Sequence, residues 1–207
     1  MNLVIKLLLV SGVLMTSSIS GISQKSLSWF DASSLDSDNK ARTSADCIIT
    51  KDGKTGAFHE IEFEPKPFFV YTHPQVRKYF TDGYLMECNG YVKRVDDNHF
   101  LILEYKINSD KAKTNYGDLD QGEKVKIDLF NDDHVYLENI ERSRGKVKRS
   151  DRYTTYTGTY AISNNNVSIL KKHSMDKITV LWEEGVETYE IQNIDLIKNQ
   201  LKFLSER

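Results

Sequence analysis

The sequence predicts a β-rich fold, all-β to α+β: an antiparallel sandwich or partly open barrel with two or three short helices, one of them C-terminal. Three observations carry this. Apolar and polar residues alternate over short runs, the period of a strand with one buried and one wet face. Turn-forming Asp, Asn and Gly residues recur between those runs. No helical segments alternate with the runs, so the βαβ rhythm of a parallel sheet is missing. About nine or ten strands are expected on this reading.

The chain of 207 residues opens on "MNLVIKLLLVSGVLMTSSISGIS". Lys6, a short apolar run over residues 7–15 and the small residues after it form the layout of a secretory signal peptide, residues 1–23. The apolar run is too short for a comfortable membrane span, so the mature chain is expected to lack a transmembrane segment. Residues 24–46 are rich in Ser and Asp and read as a flexible tether. Trp29 and Phe30 stand out within it, as rings that dock on the domain or on a partner. Residues 47–207 then form one β-rich globular domain.

The elements follow in order. "CIITKDGKTGAFHEIEFEP" holds two short strands around Gly53 and Gly56. "THPQVRKYF" makes a helical turn or two, opened by Pro74, where a missing N–H costs nothing. "YLMECNGYVKRV" and "HFLILEYKI" form a hairpin through Asp96, Asp97 and Asn98. "EKVKIDLF" and "HVYLENI" repeat the device through Asn131, Asp132 and Asp133, with Val125, Ile127, Leu129, Val135 and Leu137 on the buried face. "RYTTYTGTYAIS" has strong strand composition, and Gly158 leaves a notch between Tyr156 and Tyr160 that a neighbouring side chain can fill. Ser163 caps a helix over "NNNVSILKKH", whose apolar side is Val167, Ile169 and Leu170. "DKITVLWEEGVETYEI" is a hairpin with Gly185 at a positive φ. Ile194, Ile197, Leu201 and Leu204 draw a helical stripe in the last segment.

Two cysteines remain, Cys47 and Cys88. In an exported chain an even number suggests a disulfide, the alternative being two buried free thiols. Closing that loop would stabilise the fold by about 4 kcal/mol in the chain-entropy model. There is no CxxC redox motif and no zinc spacing, and no cofactor is implied. Asp118, Asp120 and Glu123 faintly echo a calcium loop, but Leu129 occupies the position where a bidentate Glu is needed, so no metal site is assigned.

The most distinctive stretch lies at residues 142–152. Arg142, Arg144, Lys146, Lys148, Arg149 and Arg152 are all basic, in a chain of net charge −2. Arg142, Arg144, Lys146 and Lys148 alternate, so a continuous strand would put all four on one side. With Tyr153 and Tyr156 they form the candidate partner-binding site, suited to an anionic protein, glycan or lipid surface. The bland alternative is a solvated hairpin whose lysines deter edge-to-edge pairing. The chain as a whole is slightly acidic, which argues against nucleic acid.

No nucleophile elbow or Cys–His signature is present. Glu183, Glu184, Glu187 and Glu190 beside Trp182 and Tyr189 suggest a carboxylate pair for glycan hydrolysis, as does the general abundance of acids. Asn166-Val167-Ser168 is a glycosylation sequon at a helix start. The sequence therefore points first to a secreted or periplasmic, non-catalytic binding or accessory protein. An extracytoplasmic hydrolase and a structural component of a surface assembly are the alternatives. Oligomeric state is not legible.

Overall fold

The computed structural model describes residues 45–80 and 83–207. The expected leader lies outside the described residues. So does the expected tether, with Trp29 and Phe30, apart from its last two residues.

One antiparallel sheet of eleven strands dominates the domain, as the alternation predicts. In chain order these are β1 (Ile49–Thr55), β2 (Phe58–Phe63), β3 (Lys66–Tyr71), β4 (Met86–Val95), β5 (Asn98–Ile107), β6 (Lys124–Leu129), β7 (His134–Asn139), β8 (Lys146–Lys148), β9 (Tyr153–Ile162), β10 (Met175–Trp182) and β11 (Gly185–Glu190). A 3₁₀ turn (Pro74–Tyr79) precedes β4, α1 (Ala112–Tyr116) precedes β6, α2 (Asn164–Leu170) precedes β10, and α3 (Leu196–Ser205) closes the chain. The sheet order is β1-β2-β4-β5-β9-β7-β6-β10-β11, with β3 also on β4 and β8 also on β9. The sheet curls until β11 lies against β3. There Gln192 N donates to Phe68 O at 2.9 Å, and the Phe69 and Tyr189 rings stack at 4.5 Å. This is the partly open barrel.

Local chemistry sets most of these elements. Asp96 and Asp132 take the positive φ angles, 51° and 63°, that turn their hairpins, and Gly185 takes 157°. Ser163 Oγ accepts from Asn166 N at 3.3 Å and starts α2. Ile197, Leu201 and Leu204 are buried along α3. Two strands go beyond the sequence reading. β3 carries Pro67, which lies at an irregularity in its register with β4, where a missing donor is tolerated. β8 has only three residues.

β5 is the spine. It pairs along its whole length with β4 on one side and from His99 to Ile107 with β9 on the other. The far edges of both neighbours are divided. β2 takes residues 93–95 of β4 and β3 takes residues 86–90. β7 takes residues 160 and 161 of β9 and β8 takes residues 153–155. Each division leaves backbone N–H groups with no strand opposite, and buried ones need a partner. Side chains supply it. Val92 N donates to Oε1 of fully buried Gln200 at 2.7 Å, and Gln200 Nε2 donates to Asp46 O at 2.8 Å. The Asp46 carboxylate accepts from Asn193 and Asn199, so the last residue of the expected tether is pinned to the helix. On β9, Thr159 N donates to Asn139 Oδ1 at 3.1 Å and Thr157 N donates to Ser143 Oγ at 3.1 Å.

The barrel interior is packed with side chains. Trp182 stands against Tyr105, Tyr116 and Tyr156 at centroid distances of 5.2, 5.1 and 5.3 Å, all edge-to-face. Its indole N–H donates to Tyr189 Oη at 3.1 Å. The Gly158 notch is filled by the Tyr160 ring, which approaches where a Cβ would stand.

The expected disulfide is not formed. Cys47 and Cys88 are both free and buried. They serve different parts of the core. Cys88 faces inward on β4, directly opposite Tyr105, and its Sγ contacts Asn89 O at 3.5 Å. Cys47 lies by the end of α3, where burial, Asp46 and Glu206 push its thiol up to about 11. Both thiols are thus held protonated, and burial pushes Cys88 well above the usual thiol range.

Two outcomes are expected. Gln200→Ala strands Val92 N–H and Asp46 C=O in the interior and should cost about 2–4 kcal/mol in urea denaturation. Mass spectrometry after maleimide treatment should show no labelling of the native protein, and two adducts on the unfolded protein without prior reduction.

Candidate functional site

The strand period divides β9 cleanly. Thr154, Tyr156, Gly158, Tyr160 and Ile162 are buried, while Tyr153, Thr155, Thr157, Thr159 and Ala161 face outward. Residues opposite each other in the register share that outer face. Thr155 lies between Lys106 on β5 and Lys146 on β8, and Tyr153 lies opposite Lys148. The ammonium groups of Lys106 and Lys148 stand 5.5 and 5.4 Å from the Tyr153 ring centroid. Lys106 also faces Glu87 Oε2 at 3.6 Å across the β4–β5 pair. Three lysines and an aromatic ring thus converge on the outer end of the sheet.

This differs from the row of four cations expected from the sequence. Residues 146–148 of the basic stretch form a strand, and Ser143 makes a separate bridge to Leu119. Gly145 takes φ 67° and breaks the run between Arg144 and Lys146. A Cβ there would lie 2.6 Å from the Tyr156 ring, so the turn is seated on the core. Arg142 is turned away. Its Nη2 meets Asp118 Oδ2 and its Nε meets Asp120 Oδ1, each at 2.9 Å. Its charge is offset by Asp118 and Asp120, the residues that echoed a calcium loop. Among the described residues no group of three or more His, Cys, Asp and Glu is placed to hold a metal. Arg144, Arg149 and Arg152 lie on the exposed turns flanking β8, and Arg152 takes φ 55°.

Tyr156 does not belong to this surface. It is 2% exposed, its hydroxyl donates to Gly117 O at 2.9 Å, and burial pushes that hydroxyl up to about 12. The parity of β9 separates it from Tyr153. Lys106 was missed by the sequence reading, because it lies forty residues or so upstream in a different hairpin. Only the β5–β9 register brings it opposite Thr155.

Two of the acids of "WEEGVETYE" are engaged by different partners. Trp182 and Tyr189 are core residues, at 2% and 1% exposure. Glu187 accepts from the Tyr189 hydroxyl at 2.8 Å, and Glu183 accepts from Asp118 N at 2.9 Å. Glu184 and Glu190 are exposed. A different group of acids gathers on the outer face of β2, β4 and β5. Glu60 is held by Lys51, Lys93 and Thr55, and these hydrogen bonds bring its carboxyl down to about 2. Tyr91 donates to Glu62 Oε1 at 3.0 Å. Burial, and then the charge of Glu62, raise the Glu104 carboxyl above the usual range.

A groove of about 420 Å³ opens on the same outer face, where β5, β9, β7 and α2 meet. β7 pairs with β9 only at Glu138 and Asn139 and then diverges. Asn166 Nδ2 donates to Tyr136 O at 2.9 Å and ties the departing strand to α2. Asn166, the sequon asparagine, is thus already engaged through its amide nitrogen.

Searches against known protein families, characterised proteins and solved structures find no match to this chain. Among the described residues no helix is long and apolar enough to cross a membrane.

The two perturbed carboxylates act oppositely on stability. Glu60 is depressed in the fold, so its contribution is full above its unfolded value of about 4.3 and is lost as pH falls towards 2. Glu104 is raised, so its ionised form opposes folding and acid relieves it. In thermal melts from pH 3 to 8, Glu60→Gln should lower Tm at neutral pH, with the deficit shrinking in acid. Glu104→Gln should raise Tm at neutral pH, with the gain vanishing in acid.

Proposed function

We propose that this chain is an exported binding or accessory protein that meets an anionic partner with the outer face of its sheet. The observation that carries the reading is the gathering of Lys106 and Lys146 on either side of Thr155, with Lys106 and Lys148 over the Tyr153 ring. The leader-like sequence of residues 1–23 supports export. Two further features favour a surface over an enclosed site. The interior is filled by Trp182 and its tyrosine neighbours, and the basic end stands on outward-facing positions of paired strands, where rigid backbone holds the charges in place. Arg144, Arg149 and Arg152 extend the positive field around β8.

Lysines at a charged surface contribute about 1 kcal/mol each. Lys146→Ser with Lys148→Ser should therefore weaken retention on anionic supports by about tenfold or more, with Tm unchanged. The parent's retention should fall with added salt, and the variant's dependence should be shallower. Equal retention of the two proteins at every salt concentration would return β8 to the role of a solvated hairpin.

A further inference from the structure

The groove and the basic end lie on one face, at opposite ends of a track on which Thr159 stands opposite Ile102 and Thr157 opposite Glu104. Phe100 and Lys106 are six residues apart on β5, which at strand spacing is about 20 Å. Between them on neighbouring β9 run Thr159, Thr157 and Thr155, a column of outward hydroxyls. At one end of this track are the three lysines and Tyr153. At the other is the groove.

The groove has the chemistry of a sugar site. Ala161 forms its floor, directly between Phe100 and Glu138 in the register. The small side chain leaves room, and Phe100 and the 53% exposed Tyr136 supply apolar ring faces beside it. Lys124 and Glu138 face each other across the β6–β7 pair, so the rim is close to neutral. Asn98 adds an amide group and Asn166 an amide oxygen at the end of the groove. Ring faces suit the C–H faces of a pyranose, and amides with paired charges suit its hydroxyls. A volume of this size falls within the range of small-molecule sites.

We infer that the anionic partner is a polysaccharide bearing carboxylate or sulfate groups, lying along the outer face of β9 with a sugar ring in the Phe100–Tyr136 groove and its anions at Lys106, Lys146 and Lys148. This rests on the anionic-partner reading and names the partner's class. A lipid surface or a simple polyanion would satisfy the lysines but would have no use for the groove or the hydroxyl column.

The test compares the full chain with two kinds of variant on two kinds of probe. Heparin, dextran sulfate and alginate carry anions on sugar rings, and inorganic polyphosphate carries them without rings. Tyr136→Ala removes a ring face and Ala161→Phe fills the floor. Circular dichroism and Tm establish that each variant is folded. The expected result is a tenfold or greater loss of affinity for at least one polysaccharide in both groove variants, with polyphosphate binding unchanged. Lys146→Ser with Lys148→Ser should weaken both kinds of probe. If the groove variants bind every polysaccharide as the parent does while the lysine variant is weakened, the polysaccharide inference falls and the anionic-partner reading stands. If the parent binds polyphosphate but no polysaccharide, the outcome is the same. If the lysine variant binds all probes as the parent does, or the parent binds none, both fall.

Discussion

The constraint on which this fold depends is the satisfaction of backbone N–H groups along two divided strand edges. β4 and β9 are long because β5 pairs with each of them over nearly all of its length. Neither has a single partner on its other side. A break between two shorter strands leaves donors without a strand opposite, at Val92 in the buried interior, and an unmet buried donor is costly. The chain answers with side chains that imitate a strand. Gln200 does so for Val92, and Asn139 and Ser143 do so for Thr159 and Thr157. The first of these ties the C-terminal helix and Asp46 into the sheet, so the two ends of the domain are fastened at one buried amide.

The second divided edge also shapes the outer surface. Because β7 leaves β9 after a short contact, a groove opens at one end of β9. Because β8 joins β9 only at the other end, Lys146 and Lys148 are set beside Thr155 and Tyr153. The two features are consequences of one topological choice. The core imposes the rest: Tyr156 anchors the turn at Gly145 from within, and Arg142 is taken up by Asp118 and Asp120. A stretch that is uniformly basic in sequence is therefore divided in space. One cation serves structure, and the others remain on the surface.

Particular residues mark how far the sequence could be read. The turns at Asp96 and Asp132, the cap at Ser163 and the buried stripe of the last helix were legible because each depends on local backbone chemistry or on a period of a few residues. β3 was not legible, because Pro67 suggests a break unless the irregular pairing with β4 is known. The Cys47–Cys88 pairing failed because parity in cysteine number carries no distance. One thiol lies by the last helix and the other faces Tyr105. The candidate site was half legible: Lys146, Lys148 and Tyr153 were named, Tyr156 was placed on the wrong face, and Lys106 was absent.

By itself the sequence determined the fold class, the turns at Asp96 and Asp132 and the buried face of the strands that alternate strictly, since alternation and turn chemistry act over a few residues. Tertiary structure alone decided which strands share an edge, which N–H groups the side chains of Gln200, Asn139 and Ser143 must meet, and which of the basic residues stand together. Those outcomes depend on register between segments far apart in the chain. Register is settled by the joint packing of Trp182, Tyr105 and Tyr156 in a single core, and no local pattern encodes it.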